Sequence, residues 1–353
     1  MRQYFYDLAT DKRNDLPASI IKIFLWFFSI LYRVLLKIVL FFYQAGLFPK
    51  RKLPKPVISI GNITLGGAGK TPLTALIAQF LKEKNLKSVI LARGYGKAAD
   101  EDLNDEGVLL SEQNAQIPVF QDTNRFQAGQ KALKTGSFDC FLLDDGFQHW
   151  RLSRDLDIVL VDAQIPFGNS HLIPRGILRE PLNHLKRASV IILSKADLSS
   201  GSLENLRRQI GTIAPRALLA EAVHRPVGLS DRRDLHSKKD ISFLKGKTIC
   251  AFCAIGSPKS FEGLLKNLGA DVRKLFVFMD HYIYERKDVE SMVDFCRQNN
   301  IDTLLTTQKD AVKLKDLISL LPPDLNLFSL DVQMEIVKGK DEFFSRISSV
   351  FAG

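Results

Sequence analysis

Short, mostly apolar runs alternate along this chain with segments whose apolar residues recur every three or four positions. The runs at 57–60, 88–92, 138–143, 157–162 and 189–197 read as strands, those at 57–60 and 138–143 as buried ones, and the segments 73–81, 124–133 and 203–213 carry helical spacing. Such alternation predicts a parallel sheet covered by helices on both faces. A polar stretch at 225–240 interrupts it. A second alternation follows: strand 247–254, helix 261–268, strand 274–278, helix 287–298, strand 303–306 and a helix opening at 308. The expected organisation is an N-terminal apolar and basic helix over 1–48, an α/β core over 49–225, a linker over 226–246 and a smaller α/β unit over 247–353.

The N-terminal segment departs from both patterns. Residues 20–42 are dominated by Ile, Leu, Phe, Trp, Val and Tyr, broken by Lys22, Arg33 and Lys37. At about 100° per residue those cations and Ser29 fall in one stripe of roughly 80°, with Trp26 and Gln44 beside them. That pattern predicts a helix lying in a membrane interface with its cations at headgroup level. A buried core helix and a single span are the alternatives, though a span needs about 20 mostly apolar residues with few charges. No small-residue cleavage site follows, so a removable signal peptide fits poorly.

Between the first strand and its helix lies Gly61-Asn62-Ile63-Thr64-Leu65-Gly66-Gly67-Ala68-Gly69-Lys70-Thr71-Pro72. A glycine-rich turn ending in Gly-Lys-Thr at this junction is the setting of a phosphate-binding loop. The glycines allow backbone amides to point inward at phosphate oxygens, and the helix N-terminus adds partial positive charge. Thr64, Leu65, Gly66, Gly67, Ala68, Gly69, Lys70 and Thr71 are therefore the expected nucleotide-binding residues. Lys70 is placed to reach the β- and γ-phosphates and Thr71 to ligate Mg²⁺. Thr64 stands where the usual pattern has glycine.

Other strand ends carry candidate chemistry. The strand at 88–92 runs into Arg93-Gly94-Tyr95-Gly96, at the end where open α/β sheets bind ligands. The polar stretch 97–106 reads as a loop closing on Asp105-Glu106-Gly107. The strand at 138–143 delivers Asp144-Asp145-Gly146-Phe147-Gln148-His149, and an aspartate there is how P-loop enzymes hold Mg²⁺. A Gly/Pro-rich loop after residue 162 carries Arg175, Arg179 and Glu180, which suits substrate contact or a bare connector. Ser194-Lys195-Ala196-Asp197 is similar to the guanine-reading N-K-x-D of GTPases, with Ser in place of Asn.

The chain has 353 residues and a net charge of +10, so acidic partners are expected. Residues 1–55 alone hold ten Lys/Arg against three Asp. The excess thus sits beside the apolar helix, which suits anionic lipid and argues against nucleic acid. Cys250 and Cys253 form a C-x-x-C inside a strand, where residues three apart face opposite ways. All four cysteines are read as reduced packing residues.

Gly61-Asn-Ile-Thr through Lys70-Thr-Pro72, Arg93-Gly-Tyr-Gly96, Asp105-Glu106, Asp144-Asp-Gly-Phe-Gln-His149, Asp280-His281 and Lys309-Asp-Ala-Val-Lys313 resemble, in this order, the bacterial tetraacyldisaccharide 4′-kinases. The resemblance covers nearly the whole chain. Asn104 and Gln308 depart from the family's usual residues at their positions. It implies a P-loop kinase of lipid A synthesis, using ATP and Mg²⁺. The acceptor would be the 4′-hydroxyl of a tetraacylated glucosamine disaccharide 1-phosphate. Asp105 and His281 would activate that hydroxyl. Thr71, Glu106 and Asp145 would hold Mg²⁺ with Asp144 in support, and Lys70 would neutralise the transferring phosphoryl. Gln148, His149, Arg179 and Glu180 would line the site with Arg93 and Tyr95. His281 lies beyond the expected linker, so the second unit would have to close on the first. The implied setting is a monomer held peripherally on the cytoplasmic face of the inner membrane. The rival reading is a membrane-tethered GTPase-like regulator, supported by Ser194–Asp197.

Overall fold

The computed structural model describes residues 2–94, 103, 105–113, 117–199, 203–234, 237–256, 258–279 and 282–352. It divides into two compact units: residues 1–224 with 334–353, and residues 225–333.

In the first unit, two N-terminal helices, α1 (Arg2–Ala9) and α2 (Leu16–Gln44), precede the sheet. The core then runs β1 (Val57–Asn62), α3 (Lys70–Glu83), β2 (Ser88–Ala92), α4 (Asp105–Gln113), β3 (Val119–Gln121), α5 (Arg125–Thr135), β4 (Cys140–Asp144), β5 (Leu156–Asp162), β6 (Val190–Ser194), α6 (Leu203–Ile213) and β7 (Leu218–Asp231). Its strands pair in the order β7-β6-β5-β1-β4-β2-β3, all parallel. Strand β1 is central, and the chain leaves it first towards β2 and β3, later towards β5 and β6. That reversal is the switch point at which open α/β sheets form a crevice beyond their C-terminal strand ends.

Period-two alternation sorts the strand side chains into two layers. Ile58, Ile60, Ile158 and Leu160 pack beneath Leu73, Ile77 and Leu81 of α3. Val159, Val161, Ile191 and Leu193 face the other way, onto Phe147, Leu185, Leu206 and Ile210. At β1 the close approach is between backbones. A Cβ on Gly61 would stand 2.6 Å from Phe147 Cβ and 2.7 Å from its amide nitrogen.

In the second unit the elements are β8 (Lys238–Lys239), β9 (Thr248–Cys253), α7 (Pro258–Asn267), β10 (Asp271–Val277), α8 (Arg286–Gln298), β11 (Thr303–Thr307), α9 (Gln308–Ala311) and β12 (Asn326–Lys338). Strands β10-β9-β11-β12 are parallel. Cys250 packs with Cys296 in one layer and Cys253 in the opposite one, and all four cysteines are free and buried.

Three regions differ from the sequence expectation. Residues 226–246 are not a bare linker: β7 continues to Asp231 and pairs antiparallel with β8, and a 3-10 turn spans Ile241–Leu244. Most of the charges there sit on exposed positions, with Asp231 and Arg232 part-buried, while Leu229 and Leu244 are buried. Asp105 and Glu106 open helix α4 rather than close a loop, a placement that their charge favours at a helix N-terminus. The last residues do not belong with the second unit. Helix α10 (Lys340–Ser348) buries Phe343 and Ile347 in the same layer as Leu73 and Ile77.

Gly61→Ala should lower the thermal midpoint, at a cost of about 1–3 kcal/mol, because the clash is with backbone that cannot swing aside. Gly67→Ala, whose Cβ would meet nothing within 4 Å, should leave the midpoint within about 0.5 kcal/mol of the parent, as surface changes do. Parallel thermal melts of the two variants test this.

Candidate active site

The phosphate loop leaves β1 through a buried Asn62 and enters α3 at Gly69, which has φ +91°. Gly66 has φ +113°. Both are left-handed conformations that glycine adopts without strain. The first-turn amides of α3 have no intrahelical partners by geometry and face the crevice as anion donors. Pro72 costs nothing in this turn, since its missing N–H is one of those orphans.

Asn62 holds the loop from inside. Its Nδ2 donates to the Thr64 carbonyl at 2.8 Å, and its carbonyl accepts from Gln148 Nε2 at 2.9 Å. Its Oδ1 accepts from both Lys70 Nζ and Arg179 Nη1 at 3.3 Å. The two cations also share a carboxylate. Arg179 grips Asp145 with both prongs, at 2.8 and 3.1 Å, and Lys70 Nζ lies 3.5 Å from the same Oδ1. Burial alone would raise the Asp145 carboxyl, but the Lys70 charge and the Arg179 fork outweigh it and hold it well below the usual carboxylate range. Asp145 sits at φ +50°, past the end of β4, which turns it away from Asp144. Asp144 remains in the strand, with Thr74 donating to it at 3.3 Å.

Arg179 arrives on a loop stitched to the phosphate loop by main-chain bonds. Leu65 N donates to Ile177 O at 2.7 Å, and Arg179 N to Ile63 O at 2.8 Å. From the other side, Tyr32 Oη of α2 donates to the Arg179 carbonyl at 2.8 Å. Ser29 accepts from Arg175 N and donates to Leu172 O.

Glu180 does not line the crevice. It is fully buried, and its Oε2 accepts from Arg187 at 2.8 Å and contacts His184 Nδ1 at 2.6 Å. Arg187 in turn lies over the Phe147 ring, 4.3 Å from its centroid. Glu180 therefore braces the turn after Asp145 from behind. Gln148 and His149 are part-buried in that turn. Desolvation, aided by Arg125, Arg154, Arg151 and Arg93, pushes the His149 imidazole down to about 4. Arg93 is exposed at the C-terminal end of β2. Thr71 opens α3, part-buried. The side chains of Asp105 and Glu106, and residues Tyr95 and His281, lie outside the described residues.

Sequence reasoning assigned no role to Asn62, Thr74, Arg125 or Tyr32. Arg125 is 4 % exposed, acts electrostatically on Asp144 and Asp145, and has its own proton affinity lowered by burial and by Arg93. Only Asn62 carried a local signal, its place before a glycine-rich loop.

Mg²⁺ fits the donors present. Asp144, Asp145 and the Thr71 hydroxyl are hard oxygen donors at the mouth of the phosphate loop, and Mg²⁺ is usually held by one or two carboxylates plus substrate phosphates and water. Among the described residues no three acidic, His or Cys side chains form a metal cluster.

A parallel sheet that brings a glycine-rich phosphate loop and an aspartate pair to one crevice defines a P-loop nucleotide-dependent phosphotransferase. The chain belongs to the tetraacyldisaccharide-1-P 4′-kinase family, whose sequence model matches residues 21–352. It is 34% identical over 352 residues to the tetraacyldisaccharide 4′-kinase of Halothermothrix orenii, covering 91% of each chain. It is 35% identical over 319 residues to that of Syntrophus aciditrophicus, covering 84% of this chain and 85% of the relative. LpxK from Aquifex aeolicus, crystallised in complex with ATP, superposes with a TM-score of 0.74 at 28% identity, covering 92% of this chain and 97% of that one. The family places this chain in lipid A synthesis as an ATP-dependent kinase. The GTPase-like regulator is not favoured.

His224, behind Gly69, is likewise pushed down to about 4 by desolvation and by Lys195. Both histidines are neutral when folded and ionise near 6.5 when unfolded, so the unfolded chain binds more protons between those values. The stability they lend is present above about pH 6.5 and is lost as pH falls towards 4. Melting temperature should drop between pH 7 and 5, and His149→Gln with His224→Gln should flatten that slope.

Proposed function

We propose that the chain works at a membrane surface, moving the γ-phosphate of ATP to the 4′-hydroxyl of a tetraacylated glucosamine disaccharide 1-phosphate. The observation that carries the acceptor side is helix α2. Its docking seam is narrow: Ala18, Ser29 and Leu36 are buried, Lys22 pairs with Asp11 at 2.6 Å, and Tyr32 reaches Arg179. Ile21, Leu25, Leu40, Phe42 and Tyr43 are part-buried along it, and most of the remaining side chains point outward. Ile23, Phe24, Phe27, Phe28, Leu31 and Leu35 are each about half or more exposed, and Arg33 and Lys37 stand exposed at the seam's rim. The segment is long and apolar enough to span, at a mean hydropathy of 2.1, yet only 11% of that window is buried. Seam contacts run from residue 18 to Tyr43, whose ring meets Trp150 at 6.1 Å. A spanning helix would have to give these up, so the seam supports a helix lying in the interface, apolar side down. The cations at its rim favour the anionic cytoplasmic leaflet.

In the transfer step, the phosphate-loop amides and Lys70 hold the triphosphate. Thr71, Asp144, Asp145 and Glu106 would hold Mg²⁺, which when bound would neutralise charge on the transferring phosphoryl. Asp105 and His281 are assigned to the acceptor hydroxyl, His281 as the base and Asp105 orienting it. Gln148, pinned on Asn62, and His149, kept neutral, form the wall beside the acceptor, and Arg93 and Tyr95 extend it. A single polypeptide is sufficient for this scheme.

If the outward face is the anchor, Phe24→Glu with Phe27→Glu and Leu31→Glu should release the protein from vesicles rich in anionic lipid. Retained sedimentation would reject the surface assigned here. For the base pair, Asp105→Ala and His281→Ala should each slow phosphoryl transfer strongly, and the double variant should be little worse than either, because an oriented base fails as one unit. Multiplying losses would show that the two act independently.

A further inference from the structure

Arg179 was expected to touch the lipid acceptor, yet its guanidinium is spent on the phosphate-loop machinery. It shares two acceptor groups with Lys70, namely Asp145 Oδ1 and Asn62 Oδ1. Its other prong takes Asp145 Oδ2. Both oxygens of the carboxylate assigned to Mg²⁺ are therefore occupied by a cation belonging to the protein. The side chains of Arg179, Lys70 and Asp145 are each only about one-fifth exposed, at 20, 20 and 23 %, so the cluster opens on the crevice but is poorly screened by water. The backbone of Arg179 is fixed from both sides, by Ile63 and by Tyr32. Exchange of its partners therefore needs only side-chain motion.

A divalent ion and a guanidinium fork compete for the same lone pairs. Once the ion takes Asp145, Arg179 stays charged, since guanidinium cannot give up its proton inside a protein. It needs another anion within reach of its tether. The group Lys70 reaches from the same spot is the nucleotide's terminal phosphates. We propose that Arg179 is a phosphate-binding arginine acting in cis: it rests on Asp145 in the nucleotide-free enzyme and passes to the triphosphate when metal-bound nucleotide arrives. No covalent bond changes in the exchange. Asp145 trades one cation for another, and Arg179 trades a carboxylate for a phosphoryl group. The inference rests on Asp145 serving as a metal ligand.

Two effects of opposite sign follow from removing Arg179. Its charge no longer supports the transferring phosphoryl, so turnover falls. Its competition for Asp145 also ends, so metal is taken up more readily. The test uses the full-length protein in detergent, with Arg179→Ala, Arg179→Lys and Asp145→Asn variants. Mg²⁺ is titrated by calorimetry in the presence of a non-hydrolysable ATP analogue, and turnover is measured separately against acceptor and ATP. Expected for Arg179→Ala are a kcat loss of ~10²-fold or more, as for other preorganised charge donors, and a lower Mg²⁺ half-saturation. Acceptor KM should move little, and Arg179→Lys should recover part of kcat. A loss appearing mainly in acceptor KM would overturn the proposal in favour of an acceptor contact. Unchanged kcat with unchanged Mg²⁺ titration would reduce the fork to a structural ion pair. The lysine variant serves if the alanine variant melts early. Asp145→Asn separates the two levels of inference. A Mg²⁺ titration unaltered there overturns the metal assignment itself. One altered there but not in Arg179→Ala overturns only the exchange.

Discussion

Two cations share one carboxylate at the centre of the crevice, and the surrounding architecture serves to bring these three side chains together. Lys70 comes from the phosphate loop, Arg179 from a loop more than a hundred residues later, and Asp145 from beyond the end of β4. They meet because a buried amide, Asn62, offers an acceptor to both cations while its other atoms hold Thr64 and Gln148. Arginine suits the outer position because its fork fits both carboxylate oxygens. Lysine suits the inner one because a point charge can leave Asp145 for a phosphate.

The turn that presents Asp145 is braced from behind. Phe147 packs so tightly against Gly61 that no side chain fits between them, and Arg187, part-buried and paired with the fully buried Glu180, covers its ring. Burying an ion pair does not guarantee stability, but removing one partner strands the other at high cost. Residues 179 and 180 are thus neighbours in sequence with opposite assignments, one facing the crevice and the other its support.

What the sequence made legible was local. The phosphate loop, the acid turn and the strands around them are each written in a dozen consecutive residues, and β2 lies where its apolar run predicts. Asn62, Arg125, Thr74 and Tyr32 act through partners distant in the chain, and spacing carries no such information. Charged residues on exposed positions hid the continuation of β7, and the short β3 offers too few residues for periodicity to register. In α4, the acids that read as loop are favoured by the helix N-terminus. The resemblance supplied roles for Glu180 and Arg179 that contacts then refined, placing Glu180 behind the wall.

Helix α2 turns the usual amphipathic logic inside out: Ser29 and Tyr32 meet protein, while most of its large apolar side chains meet the surroundings. Ser29 and Tyr32 are not decoration on a tether, because they satisfy the Leu172 carbonyl, the Arg175 amide and the Arg179 carbonyl. Cutting the chain after residue 45 to obtain a soluble fragment would therefore remove a structural wall together with the proposed anchor. Three main-chain groups of the loop that carries Arg179 would be left to water. Loss of activity in such a fragment would report a damaged crevice as much as a lost membrane. A soluble form that keeps its chemistry is better sought by repainting the outward face with polar side chains and leaving the seam whole.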